Sequence, residues 1–475
     1  MKVSPLPAPP PQQPEPAVDK ISLASASLDP SVEKCAVEDN EVFRKTTDGV
    51  DFRTVGWVKA SSIFLKVMFA VGVLSIPQSM YTLGAIGGSL SVLVWGAFNT
   101  YTGLILGNFR EAHPRCHSIA DMAYLVGGVV VKEICGFLFI VAYIGGAGAG
   151  IIGVATGLNA LSHHAACTVY WAVIATVVIA CAASIRRLQA LGWLTLAGFA
   201  SIYIAVFIVV VAVTLRSRPA AAPQTGDFEL GYHVLAYPSF AAGMVASSTI
   251  FYSSCATSAF LPVVSEMKNP KDYRKALFTC MGIVTVSYLC FSLVVYRWCG
   301  KWVASPSLGS AGQTIKMVAY GIGLLGLIVS ACLYIHIASK YIFVRILRNS
   351  RHLQSNTAIH WITWLGCTSS TSAIAFVFSQ GVPVFNFVTA LIGSVCFGPI
   401  AIILPGWLWI YDHSQYRTSG TLRQKVVYWL HVALIPLGAF VTIGGTYGVG
   451  LQIRDAYSSG VIGSAFSCAD NSNSS

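Results

Sequence analysis

Between residues 57 and 450 one apolar stretch follows another, each about as long as a bilayer is thick, and no soluble core could absorb so much uninterrupted hydrophobic sequence. Hydrophobic residues fill 55% of the 475 positions and charged residues only 10%, where soluble domains carry roughly 25% charged residues. Mean hydropathy is +0.66. In lipid the backbone must satisfy its own N–H and C=O groups, and for stretches of this length that leaves helices. The sequence therefore predicts an all-α integral membrane protein. Eleven spans are expected, near 57–83, 85–109, 133–161, 168–185, 190–215, 234–265, 276–298, 314–346, 357–379, 383–411 and 426–450. The third and eighth are long enough to tilt, and the fourth is short.

Basic residues set the expected orientation. With the N-terminus cytoplasmic, seventeen Lys and Arg residues, Lys132, Lys268, Arg345 and Arg348 among them, fall on inner loops and flanks; six (Arg216, Arg218, Arg297, Lys301, Lys316 and Arg454) fall outside. The net charge of +11 is then a consequence of topology and calls for no nucleic-acid partner. Eleven spans put the C-terminus on the extracytoplasmic face. Residues 1–52 hold nine acids against five Lys and Arg and open with the proline-rich PLPAPPPQQPEP, as a disordered cytoplasmic tail would. No leader pattern precedes the first span, which is expected to direct the chain to the membrane itself. Residues 451–475 read as a short extracytoplasmic tail, with a sequon at Asn473.

Two spans are interrupted at corresponding places. The first, FLKVMFAVGVLSIPQSMYTLG, has Gly72, Ser75 and Pro77 inside an apolar run; the sixth, TIFYSSCATSAFLPVVSEMKNP, has a small polar patch before Pro262. Proline removes a donor, and glycine and serine weaken the helix, so unwinding costs least here. Backbone groups freed in this way cannot face lipid and must line a cavity. Paired broken helices mark a binding site near the membrane midplane. Breaks five spans apart, in halves of opposite orientation, imply a 5+5 inverted repeat plus one extra helix, with the third and eighth helices as scaffold beside the crossing.

These motifs resemble a known family. VGVLSIPQSMYTLG is similar to the first-helix signature of the amino acid/auxin permeases, and SEMKNPKDYRKAL to the inner end of their sixth helix. The stretch from Ala338 through Asn349 and the block HWITWLGCT resemble the fungal neutral amino acid permeases. The chain departs from the pattern at Ala70, Ala256 and Thr257, where the family usually has glycine, glycine and a longer polar residue. The resemblance implies an inverted repeat of the leucine-transporter type and proton-coupled transport of amino acids. The plasma membrane is the expected location, and a vacuolar membrane is the alternative.

An amino acid dictates what its site must offer. Its carboxylate wants the free N–H groups at a half-helix N-terminus, which Val71, Gly72, Val73, Leu74 and Ser75 can supply. Its ammonium wants carbonyls, expected at Tyr252, Ser253 and Ser254, with Thr257 nearby. No acid occurs between Glu133 and Asp227 or between Asp272 and Asp412. A cationic side chain would need such a partner, so neutral substrates are expected. For the coupling ion, His336 can take a proton near neutral pH, although buried packing explains it as well. The alternative is sodium, to which Ser330 and Ser339 offer hydroxyls.

Other patterns have simpler explanations. GAGIIG at 148–153 spells a dinucleotide fingerprint but has no preceding strand, and its glycines recur with helical spacing, as in helix packing. His163, His164 and Cys167 lack further ligands nearby, so no metal and no cofactor is expected. HExxH and GxSxG are both missing, which argues against an enzyme. A nutrient receptor on a transporter fold is a second alternative, motivated by the acidic tail. On the outer surface the topology predicts a Cys167–Cys299 disulfide joining the two repeats, with Cys468 unpaired. Gly72→Val is expected to abolish transport while leaving the protein folded and correctly delivered, by blocking backbone approach to the carboxylate, and uptake by that variant is the check.

Overall fold

The computed structural model describes residues 55–69, 71–186, 192–348, 350–353, 355–382, 384–459 and 465–472. The expected tail 1–52, together with Ala70 and Asn473, lies outside the described residues. Within them the chain is helical, with one isolated bridge between Val55 and Met267. In chain order the helices are α1 (Trp57–Met68), α2 (Val71–Ala112), α3 (Ile119–Ser162), α4 (Thr168–Ala183), α5 (Gly192–Thr214), α6 (Phe240–Ser254) and α7 (Phe260–Ser265). They continue with α8 (Tyr273–Cys299), α9 (Gln313–Leu347), α10 (Ala358–Gly381), α11 (Phe385–Ile392), α12 (Leu404–Asp412) and α13 (Leu422–Ser458). A π-helical stretch over Gly393–Ile403, containing Pro399, joins α11 to α12.

Among the described residues, eight helical runs are long and apolar enough to cross a membrane. This is fewer than the eleven spans expected, and the difference has a physical cause. The first expected span is divided between α1 and the start of α2, and the sixth between α6 and α7. The fourth is the 16-residue α4. First and second spans merge into α2, whose path turns at Gly84 with a φ of 76°. A β-carbon at Gly84 would sit 2.7 Å from the Ala236 nitrogen, so only glycine suits both the backbone and the space.

The third and eighth spans are the long helices α3 and α9, which pack on each other. The glycine run of α3 is what brings them close. A β-carbon at Gly150 would come 2.8 Å from that of Ala331 on α9, and one at Gly145 would come 2.8 Å from Ile392 on α11. These are helix-packing glycines, as the spacing predicts.

The two ends of the bundle are held by different means. At one end α9 and its C-cap residue make three ion pairs: Lys340 with Glu266 beyond α7, Arg345 with Glu133, and the C-cap Arg348 with Asp121 at 2.8 Å, the last two acids lying on α3. The Lys340–Glu266 pair is buried, so these charges pair rather than reach for the lipid headgroups. Lys66 of α1 is fully buried, and among the described residues its Nζ has no hydrogen-bond partner.

At the opposite end Cys167 is bonded to Cys468, 301 residues away. This corrects the expected Cys167–Cys299 pairing. Cys299 is a buried free thiol at the end of α8, where the α5–α6 connection covers it: the Lys301 N–H donates to the Leu230 carbonyl at 2.9 Å. Residues 465–472 return across the corner between α3 and α4 as a strap. Thr168 donates to the Ala469 carbonyl at 2.7 Å, Asn159 to the Asn471 side chain at 2.8 Å, and Lys316 to the Ser472 carbonyl at 2.9 Å. Non-reducing peptide mapping of the purified protein should recover a Cys167–Cys468 peptide, and Cys468→Ser should lower the melting temperature, since removing a native disulfide typically costs about 2–5 kcal/mol in small domains. Recovery of a Cys167–Cys299 peptide would refute the pairing.

Candidate functional site

Where the first span breaks, α1 ends at Met68 and α2 begins at Val71. A helix C-terminus leaves its last carbonyls without partners, and inside a membrane no water supplies them. Three hydroxyls do so here. Ser330 donates to the Lys66 carbonyl at 3.5 Å and Tyr334 to that of Val67 at 2.7 Å, both from α9. Tyr288 of α8 takes the third, Met68, at 2.6 Å. The same phenol lies 3.0 Å from the Ser253 carbonyl on α6, so one proton serves the ends of both broken helices. Its ring stacks on Phe69 with centroids 5.6 Å apart.

On the other side of the break the described part of α2 runs from Val71, and the first N–H groups of a helix have no acceptor inside it. Gly72 sits at the crossing. A β-carbon there would come 2.8 Å from the Ser253 β-carbon and 2.8 Å from the Tyr288 hydroxyl. Its carbonyl accepts from Ser75 at 2.8 Å and from Ser253 at 3.2 Å. This changes the reason for needing glycine: a valine would push the two broken helices apart, so the lesion reaches the fold of the crossing as well as any ligand. In the sixth span the chain leaves α6 at Ser254, makes a short 3-10 turn over Ala256–Ala259 and re-enters a helix at Phe260. Pro262 falls in the first turn of α7, where its missing N–H costs nothing.

The two breaks enclose a cavity of about 10 Å³, bounded by Val67, Met68, Gly72, Ala142, Tyr143, Gly146, Tyr252, Ser253, Ala256, Tyr334 and Phe397. That is room for about one water. None of its walls is an acidic or basic side chain. Of the expected site residues, Gly72, Tyr252 and Ser253 line it. Val71, Val73, Leu74 and Ser75 lie along α2 outside its lining. Ser254 faces α2 instead, accepting from Asn99 at 2.8 Å. Thr257 turns toward Gly103 on α2, and its hydroxyl has no partner.

The coupling candidates do not meet. Ser339 pairs with Thr371 of α10 at 2.8 Å, while Ser330 faces α1. Nine residues of α-helix separate the two by about 13 Å on nearly opposite faces, so they cannot share one ion. His336 points to α4 and α10: one ring nitrogen lies 3.3 Å from the Ala183 carbonyl, and the ring meets Trp364 edge to face. Sequence reasoning missed Tyr143, Gly146, Tyr288, Tyr334 and Phe397. All come from unbroken helices, where an isolated aromatic residue or glycine looks like ordinary core.

Comparison with known proteins agrees with this geometry. The family described as "Transmembrane amino acid transporter protein" matches residues 53–451. A "Transmembrane transporter" of Gibberella moniliformis is 49% identical over 435 residues, covering 92% of each chain. The "N amino acid transport system protein" of Neurospora crassa is 25% identical over 434 residues, covering 88% of this chain and 89% of its own. Among solved structures, Mhp1, a nucleobase-cation-symport-1 family transporter in a closed conformation with bromovinylhydantoin bound, aligns with a TM-score of 0.55 at 14% identity. The alignment covers 91% of this chain and 100% of Mhp1, a likeness of fold. With helices broken at the first and sixth spans and a family match across the whole helical region, this integral membrane protein belongs to the transmembrane amino acid transporter family.

Proposed function

We propose that the chain is a secondary transporter of neutral amino acids, coupled to protons and working by alternating access. The observation that carries this is the cavity at the crossing. On one side stands Gly72, near the start of α2, where backbone N–H groups suit a carboxylate; on the other stand Tyr252, Ser253 and Ala256 of the sixth-span break, whose backbone carbonyls suit an ammonium. No charged side chain lines the space between, which favours a substrate whose only charges are those of its own backbone. The name of the Neurospora relative, an amino acid transport protein, supports amino acids as the substrate.

Protons rather than sodium are favoured because Ser330 and Ser339, the hydroxyls offered for a sodium shell, face different helices. The excess of Lys and Arg on one set of loops supports a cytoplasmic N-terminus with the Lys340 end inside, and the disulfide at the other end supports an oxidising exterior, as at the plasma membrane. Reconstituted protein should take up neutral amino acids from a radiolabelled panel in preference to lysine, arginine and glutamate. Uptake should rise when the external pH is lowered and should not change when choline replaces sodium. A strict sodium requirement would overturn the coupling, and preferential uptake of a charged amino acid would overturn the neutral specificity.

Tyr288→Phe tests the site itself. It leaves the Met68 and Ser253 carbonyls without their shared donor, and stranding a buried polar group costs about 1–3 kcal/mol. The variant should melt several degrees lower and transport less. Tyr203→Phe, which alters a neighbouring ring against Phe69, serves as the control. Equal melting and uptake in the two variants would remove Tyr288 from its bridging role.

A further inference from the structure

A second, larger cavity opens beside the first. It measures about 290 Å³ and lies at the Lys340 end, among α3, α7 and α9. Its walls include Phe139, Ser258, Pro262, Ser265, Ile337 and Lys340. The central cavity is too small for an amino acid, whereas this one has room for it.

One layer of side chains separates the two spaces. Tyr143 lines the central cavity, and Phe139, one turn earlier on α3, lines the outer one, the two rings lying 4.6 Å apart. The Tyr143 hydroxyl is 3.0 Å from the Ser258 hydroxyl and donates to the Ala256 carbonyl at 3.4 Å. Ser258 belongs to the outer cavity and Ala256 to the central one. A single buried phenol thus pins α3 to the unwound segment of the sixth span at the boundary.

We propose that Tyr143 is the door between the central cavity and a release vestibule at the Lys340 end. The proposal rests on the transporter reading above. The vestibule walls are cross-tied by Lys340–Glu266, Arg345–Glu133 and Arg348–Asp121; the buried Lys340–Glu266 pair is a charge-assisted contact, roughly twice as strong as a neutral one, and the two more exposed pairs add less. The hydroxyl contacts of Tyr143 are neutral, so the boundary yields before the walls do. The door also senses what is in the cavity. Ala256, whose carbonyl holds the phenol, also lines the central cavity, so a substrate ammonium placed there shares this acceptor and weakens the hold on the phenol. Tyr143 is therefore a positioning residue for release toward that end.

A thiol reporter in the central cavity tests the door. Ala256→Cys is reconstituted in vesicles of known orientation and treated with a membrane-impermeant methanethiosulfonate from either face, with the same chain lacking the reporter as background. Adding Tyr143→Phe should speed labelling at least fivefold from the Lys340 face and leave the opposite face unchanged. Ser258→Ala removes a door partner without touching the ring and should act in the same direction, which covers the case in which Tyr143→Phe fails to fold. No acceleration, or equal acceleration from both faces, would overturn the proposal. A chain that passes this test but carries no amino acid loses the transport reading alone, and one that transports without face-dependent labelling loses the door alone.

Discussion

A helix broken inside a membrane creates acceptors that no solvent can satisfy, and the rest of this structure is arranged around that constraint. The last three carbonyls of α1 each receive a hydroxyl from a neighbouring helix: Ser330, Tyr334 and Tyr288. Because Tyr288 also reaches Ser253, the unwound segments are held open at a fixed separation and not merely left unwound. The long helices α8 and α9 must pass beside the crossing to deliver these groups. The glycine run of α3 then lets α9 lie close enough to complete the arrangement. Polar satisfaction at two short breaks thus sets the positions of three long helices.

Much of the architecture was legible in the sequence. The apolar spans stand out because lipid requires continuous helix, and the breaks because glycine, serine and proline have no other reason to cluster there. The cavity walls were harder to foresee. Gly72, Tyr252 and Ser253 belong to the breaks, but Tyr143 and Tyr334 sit in regular helices and Phe397 in the π-helical stretch, and their relevance arises only from tertiary packing. Ser254 and Thr257 share the motif with Ser253, yet helical rotation turns them toward α2. The cysteine pairing failed for a related reason. Topology put Cys167 and Cys299 on one surface, but which loops touch depends on how the α5–α6 connection and the final strap lie across it.

The ends of the bundle differ in a way that fits motion at one and restraint at the other. The disulfide end carries a covalent link together with hydrogen bonds from Asn159, Thr168 and Lys316 to the strap. The Lys340 end relies on ion pairs around a wide cavity, contacts that can part and re-form without bond breaking. A bundle fastened so unevenly has one end predisposed to open.

The uncharged lining of the central cavity has a consequence for selectivity. If main-chain groups handle the carboxylate and the ammonium, they handle every amino acid alike, and discrimination falls to the fit of the variable side chain against Ala142, Gly146, Tyr252 and Phe397. A wall of that kind distinguishes ligands by about 1–3 kcal/mol per methylene and rejects an added hydroxyl only weakly. Such a protein would sort its substrates by bulk, accepting a graded series up to a size limit set by Gly146, where a β-carbon would come within 3.0 Å of the Tyr252 hydroxyl.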